Sequence, residues 1–410
     1  MNRQRKLKII VRIGLFTLIL TLGTLMALVT DETAGLARVD LPDATIQMLA
    51  TTAQGNVLYA GATGITQDTD QQPSANLYRS LDNGRTWQIV GSGPNTAINA
   101  LTVRPGSESI LYAGSAGGPL GKSESLWRSE DNGQTWHRYN LNLPANPDRM
   151  LPPITALAAD PRQPEVLYVG TDGQGVYRFE GNRLGYQLVG GQTLANGHVR
   201  DLVVGSAGQL YALTGGGLFV ITGDVWQPVD SLPDFPISLI ARADEPQTML
   251  AGSASSGIYR STDAGHTWDN RSAGLEIIPG TALRVTALAV EKQNQNSLVA
   301  ATAYGVGSRI APGHLYRSHN GGTDWVKVAT LDSVVNNLTL NNGIVHAATE
   351  LGMMRYEKRY RVNLQAATSD LPALTHPTGL QVLILVFTIT LAGLVFLIPL
   401  ERLRRRTWLK

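Results

Sequence analysis

The chain has 410 residues, including 43 Gly, 20 Pro and no Cys, and only 16% are charged; so many turn formers point to many short strands, and the lack of thiols excludes disulfide frameworks, thiolate metal sites and cysteine nucleophiles. The formal net charge of +2 conceals an uneven distribution. Ten of the 34 Lys and Arg lie in residues 1–30 and 377–410 beside a single acid, Glu401, leaving 24 cations against 31 acids between them, about −7, which argues against a nucleic-acid surface.

Residues 9–29 read IIVRIGLFTLILTLGTLMALV and follow Arg3, Arg5, Lys6 and Lys8. About 20 apolar residues suffice to cross a hydrocarbon core as helix, and flanking cations stay on the cytoplasmic side. Residues 1–30 are therefore predicted to be a basic cytoplasmic tail and an N-terminal transmembrane helix or signal anchor. A cleavable signal peptide is the alternative, with Gly35-Leu36-Ala37 as its small-residue site.

Between residues 40 and 364 a unit of four short strands returns seven times. Its first strand reads Ile46-Gln-Met-Leu, Ile98-Asn-Ala-Leu, Ile154-Thr-Ala-Leu, Val199-Arg-Asp-Leu, Ile237-Ser-Leu-Ile, Val285-Thr-Ala-Leu and Val335-Asn-Asn-Leu. A second strand carries small residues after its apolar pair, as in Leu58-Tyr-Ala-Gly and Leu111-Tyr-Ala-Gly, and a third reads Leu77-Tyr-Arg-Ser or Ile258-Tyr-Arg-Ser. One such sheet cannot bury both its faces, so the units must stack and close into a ring. The expectation is an all-β, seven-bladed β-propeller of four-stranded blades, flanked by two transmembrane helices. After a linker, 365–379, residues 380–400 form the second apolar run, and 401–410 a basic cytoplasmic tail with Arg402, Arg404, Arg405 and Arg406. This topology puts both ends in the cytoplasm and the propeller on the extracytoplasmic side of the cell membrane.

Four repeats share a signature between the third and fourth strands. It runs Ser80-x-Asp82-x-Gly84-x-Thr86-Trp87, Ser129-x-Asp131-x-Gly133-x-Thr135-Trp136, Ser261-x-Asp263-x-Gly265-x-Thr267-Trp268 and, in a worn copy, Ser318-x-Asn320-x-Gly322-x-Asp324-Trp325. An Asp or Asn can accept backbone N–H groups further along the turn, Gly supplies a positive φ, and Trp returns apolar area between blades. The signature resembles the Asp-box, or BNR, repeat of β-propellers, found in sialidases, sortilin-like receptors and photosystem assembly factors. Blade count, strand pattern and boxes together are most similar to the seven-bladed photosystem II assembly and stability factor family. That resemblance implies a non-catalytic propeller that binds a protein client during assembly of a membrane complex.

The sequence offers little chemistry. Arg309-Ile310 does not form a sialidase-like element, and Asp160, Asp172 and Asp201 are hydrolase candidates by residue type alone. The seven His have no metal-ligand spacing, and no cofactor is expected. The alternative function is a cell-surface glycoside hydrolase, sialidase-like, or a glycan-binding protein. Two features remain for partner binding. Arg79, Arg128, Arg178, Arg260, Arg317 and Arg355 recur before the box position in six repeats, either as strand-pairing residues or as a client-binding set. Long connections at 62–76, 115–125 and 302–314 share one face with the links 140–153 and 272–284, opposite the boxes, and insertions on one face mark a binding side.

Overall fold

In blades one to six four antiparallel strands follow chain order from the inner edge outward, as in Ile46–Thr51, Leu58–Ala62, Leu77–Ser80 and Gln88–Ile89 of blade one. This computed structural model describes residues 32–39, 41, 45–52, 57–62, 77–90, 97–116, 118–119, 126–139, 143, 150–180, 186–194 and 197–360. The expected membrane segments, linker and tails lie outside these residues; among the described residues no helix is long and apolar enough to cross a membrane. Seven four-stranded sheets make a seven-bladed propeller. Because strand direction alternates, the turns between strands one and two and between three and four share one face, the turn face. Connections from strand two to three and from blade to blade share the other, the link face.

Seven apolar clusters stand between seven pairs of adjacent blades. One interlock recurs at their centres. A Cβ added at Gly61, Gly114, Gly170 or Gly252 would come within 2.4–2.7 Å of Ile98, Ile154, Val199 or Val285, the apolar residue that opens the next blade's inner core. The small residues of the second strand thus admit a β-branched side chain from the neighbouring blade, which places their cause at the blade seam. Each inner strand also carries a register shift at the residue after its opening one, among them Thr155 and Asn336; in blade five that residue is Ile237, so Pro236 and not Ile237 opens the repeat there. The residue at the shift can reach sideways: the Thr155 hydroxyl donates to the Val199 carbonyl and Asn336 Nδ2 to the Ile46 carbonyl at 3.2 Å.

Blade seven takes its fourth strand from far upstream. Glu32–Arg38, upstream of residue 40, lies outermost beside Gly352–Tyr360. Val39 N donates to the Met353 carbonyl at 2.9 Å, Arg38 pairs with Asp332 at 2.9 Å, and Leu36 packs on the core between blades six and seven.

Candidate functional site

The four signature turns share one hydrogen-bond scheme. Ser80 Oγ accepts Gly84 N and donates to Asp82 Oδ1, both at 2.8 Å, while Asp82 accepts Arg85 N, Thr86 N and the Thr86 hydroxyl at 3.0, 2.9 and 2.7 Å. Ser129 and Asp131, and Ser261 and Asp263, repeat it with Gly133 and Thr135, and with Gly265 and Thr267. In the worn copy Ser318 Oγ accepts Gly322 N, Asn320 Oδ1 accepts Asp324 N at 3.0 Å, and Asn320 Nδ2 donates to the Asp324 carboxylate at 3.0 Å. The bond survives there with donor and acceptor exchanged. Burial would raise the Asp82 and Asp131 carboxyls, but the hydrogen bonds they accept outweigh it and hold both at about 2. The Thr267 hydroxyl and N–H hold Asp263 at about 2 likewise.

The residue before each box Gly is also left-handed, at φ 57° for Asn83, 58° for Asn132, 59° for Ala264 and 71° for Gly321. This aims its carbonyl at the preceding blade. The Asn132 carbonyl accepts the Tyr59 hydroxyl at 3.0 Å and Arg79 Nη1 at 2.9 Å; that of Asn83 accepts His346 Nε2 at 3.1 Å and Arg355 Nε at 3.3 Å. Trp136, Trp268 and Trp325 are buried between blades, and Trp87 is half-buried. Trp226 fills the corresponding seam in blade four without a box, donating to the Val189 carbonyl at 2.8 Å.

The six arginines stand on third strands, each engaged with its own blade or with a turn of the next. Arg128 meets Glu130 at 3.0 Å, Arg178 meets Glu180 at 2.7 Å, and Arg260 meets Glu245 at 3.0 Å. Arg317 donates to the Gly343 carbonyl at 3.1 Å and Arg355 to Glu357 at 2.8 Å. Arg79 and Arg355 also reach the next blade's turn, as above.

The link face carries a different feature. Residues 302–314, read from sequence as a loop, are strand: Asn294–Val306 and Arg309–Ser318 continue past the ring as a hairpin, and Ala282–Glu291 pairs alongside as far as Gly305. A hairpin allows a long insertion to satisfy its own backbone groups. Thr302 Oγ1 accepts His314 N at 3.0 Å at the root of this arm, and Leu283 N donates to the Ser255 carbonyl of blade five at 2.9 Å. Below it, the Glu276 carboxylate lies 3.0 Å from His314 Nε2 and 3.1 Å from Lys327 Nζ; the Tyr316 hydroxyl accepts Glu276 N at 2.9 Å, and the Tyr304 hydroxyl donates to the Glu276 carbonyl at 3.1 Å. Burial, then the Lys327 charge, lowers the His314 pKa against the pull of Glu276. Above this polar root the arm and the adjoining link present Ile277 (71% exposed), Val306 (55%) and Ile310 (50%) to solvent. Residues 63–76 and 120–125 lie outside the described residues; Gly118–Pro119 pairs with Met150–Leu151 of the following link.

The candidate acids are dispersed. Asp160 caps a turn by accepting Arg162 N at 2.8 Å, and Asp172 meets His198 at 3.0 Å on the link face. Asp201, on the inner strand of blade four, is pushed up to about 7 by burial, partly offset by the Leu202 N–H it accepts. Among the described residues no three His, Asp or Glu converge as a metal site.

No protein-family model and no curated protein matches the chain. Solved structures do. A GH74 xyloglucanase from Xanthomonas campestris aligns at TM-score 0.56 and 17% identity over 78% of this chain and 53% of its own. YCF48 from Cyanidioschyzon merolae aligns at 0.54 and 16% over 79% and 99%, and YCF48 bound to D1 peptide at 0.53 and 16% over 80% and 96%. The extracellular domain of a two-component system from B. thetaiotaomicron aligns at 0.56 and 14% over 81% and 40%. The chain thus spans about half or less of the xyloglucanase and the two-component domain, and nearly all of YCF48. The likeness is one of fold.

Proposed function

We propose that this chain is a membrane-anchored, extracytoplasmic propeller that binds a protein client as a non-catalytic assembly module, using the link face. The observation that carries this reading is the blade-six arm: paired along its length and rooted on Glu276, His314 and Lys327, it holds Val306 and Ile310 in solvent, beside Ile277 of the adjoining link. Rigid, exposed apolar residues offer contact area at low ordering cost. Anchoring is supported by the apolar runs 9–29 and 380–400 and their cationic flanks. The signature turns belong in this reading to the Asp-box class and hold the ring together. YCF48, a photosystem II assembly factor, has been seen with a D1 peptide, which supports a protein client for a propeller of this size. A hydrolase would need two carboxylates facing each other across a sugar, whereas Asp160 is engaged in its own turn and Asp172 with His198. The test is crosslinking in native membranes with the Val306→Asp, Ile310→Asp double variant. Loss of the client with an unchanged melting temperature is expected; an unchanged crosslink, or turnover of a glycoside panel by the wild-type chain, overturns the reading.

A further inference from the structure

The edges of the blade-six arm offer little to another strand. On one of them Leu283 N donates to the Ser255 carbonyl at 2.9 Å and the Leu283 carbonyl accepts Gly257 N at 3.2 Å, both in blade five. The other edge is free only along Arg309–Pro312, since the Gly313 carbonyl accepts Leu331 N at 3.0 Å and His314 pairs with Thr330. Gly307, at φ 59°, and Ser308 make the two-residue turn, which Val306 and Arg309 close as a hydrogen-bonded pair. Alternation from that pair turns the backbone groups of Ile310 and Pro312 outward, and Pro312 has no N–H to give. One donor followed by a proline is a poor template for strand addition.

The faces of the arm are what remains, and its apolar residues divide between them. Tyr304 belongs to the core between blades five and six; Val306, two residues on, shares its side, and so does Arg309, the partner of Val306. Ile277 follows on the same side, because the Tyr304 hydroxyl donates to the carbonyl of Glu276. Gly305 alternates to the side of Ala301, which lies in the core between blades six and seven, and its partner Ile310 goes with it. Ala282, Gly305 and Ile310 form one row across three strands, so the surface around Ile310 is flat. Val306 and Ile310 thus point in opposite directions. Among the described residues Arg309 meets no acid, while Glu276 of the adjoining link is already shared by His314 and Lys327.

We propose that the arm enters a cleft in a protein partner, with apolar walls against Val306 and Ile310 and a carboxylate opposite Arg309. A surface lying against one face would leave the other apolar residue in water. The tip suits entry, because Gly307 and Ser308 carry no large side chain. This rests on the client-binding reading above. The test places benzoylphenylalanine, an apolar photocrosslinker, at position 306 or at position 310 of the full chain in its native cell. Both positions are expected to capture the same protein, and Arg309→Glu to lower both yields about tenfold with an unchanged melting temperature. Capture from one position alone means docking on one face and overturns the insertion while the client stands. Equal yields with Arg309→Glu overturn the carboxylate. No protein adduct from either position, or adducts only with lipid or with a second copy of this chain, overturn the insertion and the client-binding reading together.

Discussion

His346 of blade seven donates through Nε2 to the carbonyl of Asn83 in blade one, 3.1 Å away, across the seam where the ring closes. The imidazole is fully buried, and that burial, more than the nearby Arg355 charge, depresses its pKa from 6.5 to about 4 despite the bond it makes.

A pH dependence follows from that depression. Between 6.5 and about 4 the unfolded chain binds the proton that the folded ring refuses, so stability is full above 6.5 and falls as pH drops through this window. The total is about 3 kcal/mol at 1.36 kcal/mol per unit. Denaturant unfolding at pH 7 and pH 4.5 reads the loss, and His346→Gln should flatten the slope. The same slope in the variant would assign the effect elsewhere, His314 being the first alternative since it shifts in the same direction.

The box tryptophans are not equivalent. Trp136→Ala or Trp268→Ala removes a buried ring and is expected to cost about 3–5 kcal/mol. Trp87→Ala should cost clearly less because its ring is partly in water. Similar midpoint shifts for all three would mean that Trp87 is as fully enclosed as the others.

The arginines are expected to act through the ring. Arg79→Ala removes a charged donor to the Asn132 carbonyl, which keeps the Tyr59 hydroxyl, so the cost should be about 1.5–3 kcal/mol. Client crosslinking per folded molecule should hold. If crosslinking fell with no change in stability, the arginines would belong to the binding surface.

Ala264 occupies a left-handed position where its counterparts are Asn83, Asn132 and Gly321. A Cβ there costs about 1–2 kcal/mol, part of which Gly returns as unfolded-state entropy. Ala264→Gly should therefore stabilise the ring by about 0.5–1 kcal/mol in thermal or chemical melts, and a neutral result would mean that the turn in blade five relaxes around alanine at no cost.

Seven blades were legible because each strand carries its own apolar alternation and each core is completed by a neighbour with the same pattern. Glu32–Arg38 was not: Glu-Thr-Ala-Gly-Leu-Ala-Arg has one strongly apolar side chain, Leu36, and its strand state comes from the open edge it meets. The arm was visible only as extra length, since Gly305, Gly307, Pro312 and Gly313 interrupt any strand pattern within it. Glu276, His314 and Lys327 come from three separate segments, and no spacing rule joins them. The missing signal for Trp226 was the box itself, because the tight turn at Gly223 holds the same ring without it.

The outer strand of blade seven gives synthesis a direction. Glu32–Arg38 is made first, yet its partner Gly352–Tyr360 is made more than 300 residues later, so the seam is the pairing of highest sequence separation and its closure entropy cannot be recovered until every blade has formed. Once made, Gly352–Tyr360 is a bare edge until a first strand docks on it, open to the matching strand of another copy as readily as to its own. Crowded nascent chains thus risk exchanging first strands, and the His346 and Arg355 bonds to Asn83 form only after that choice is made.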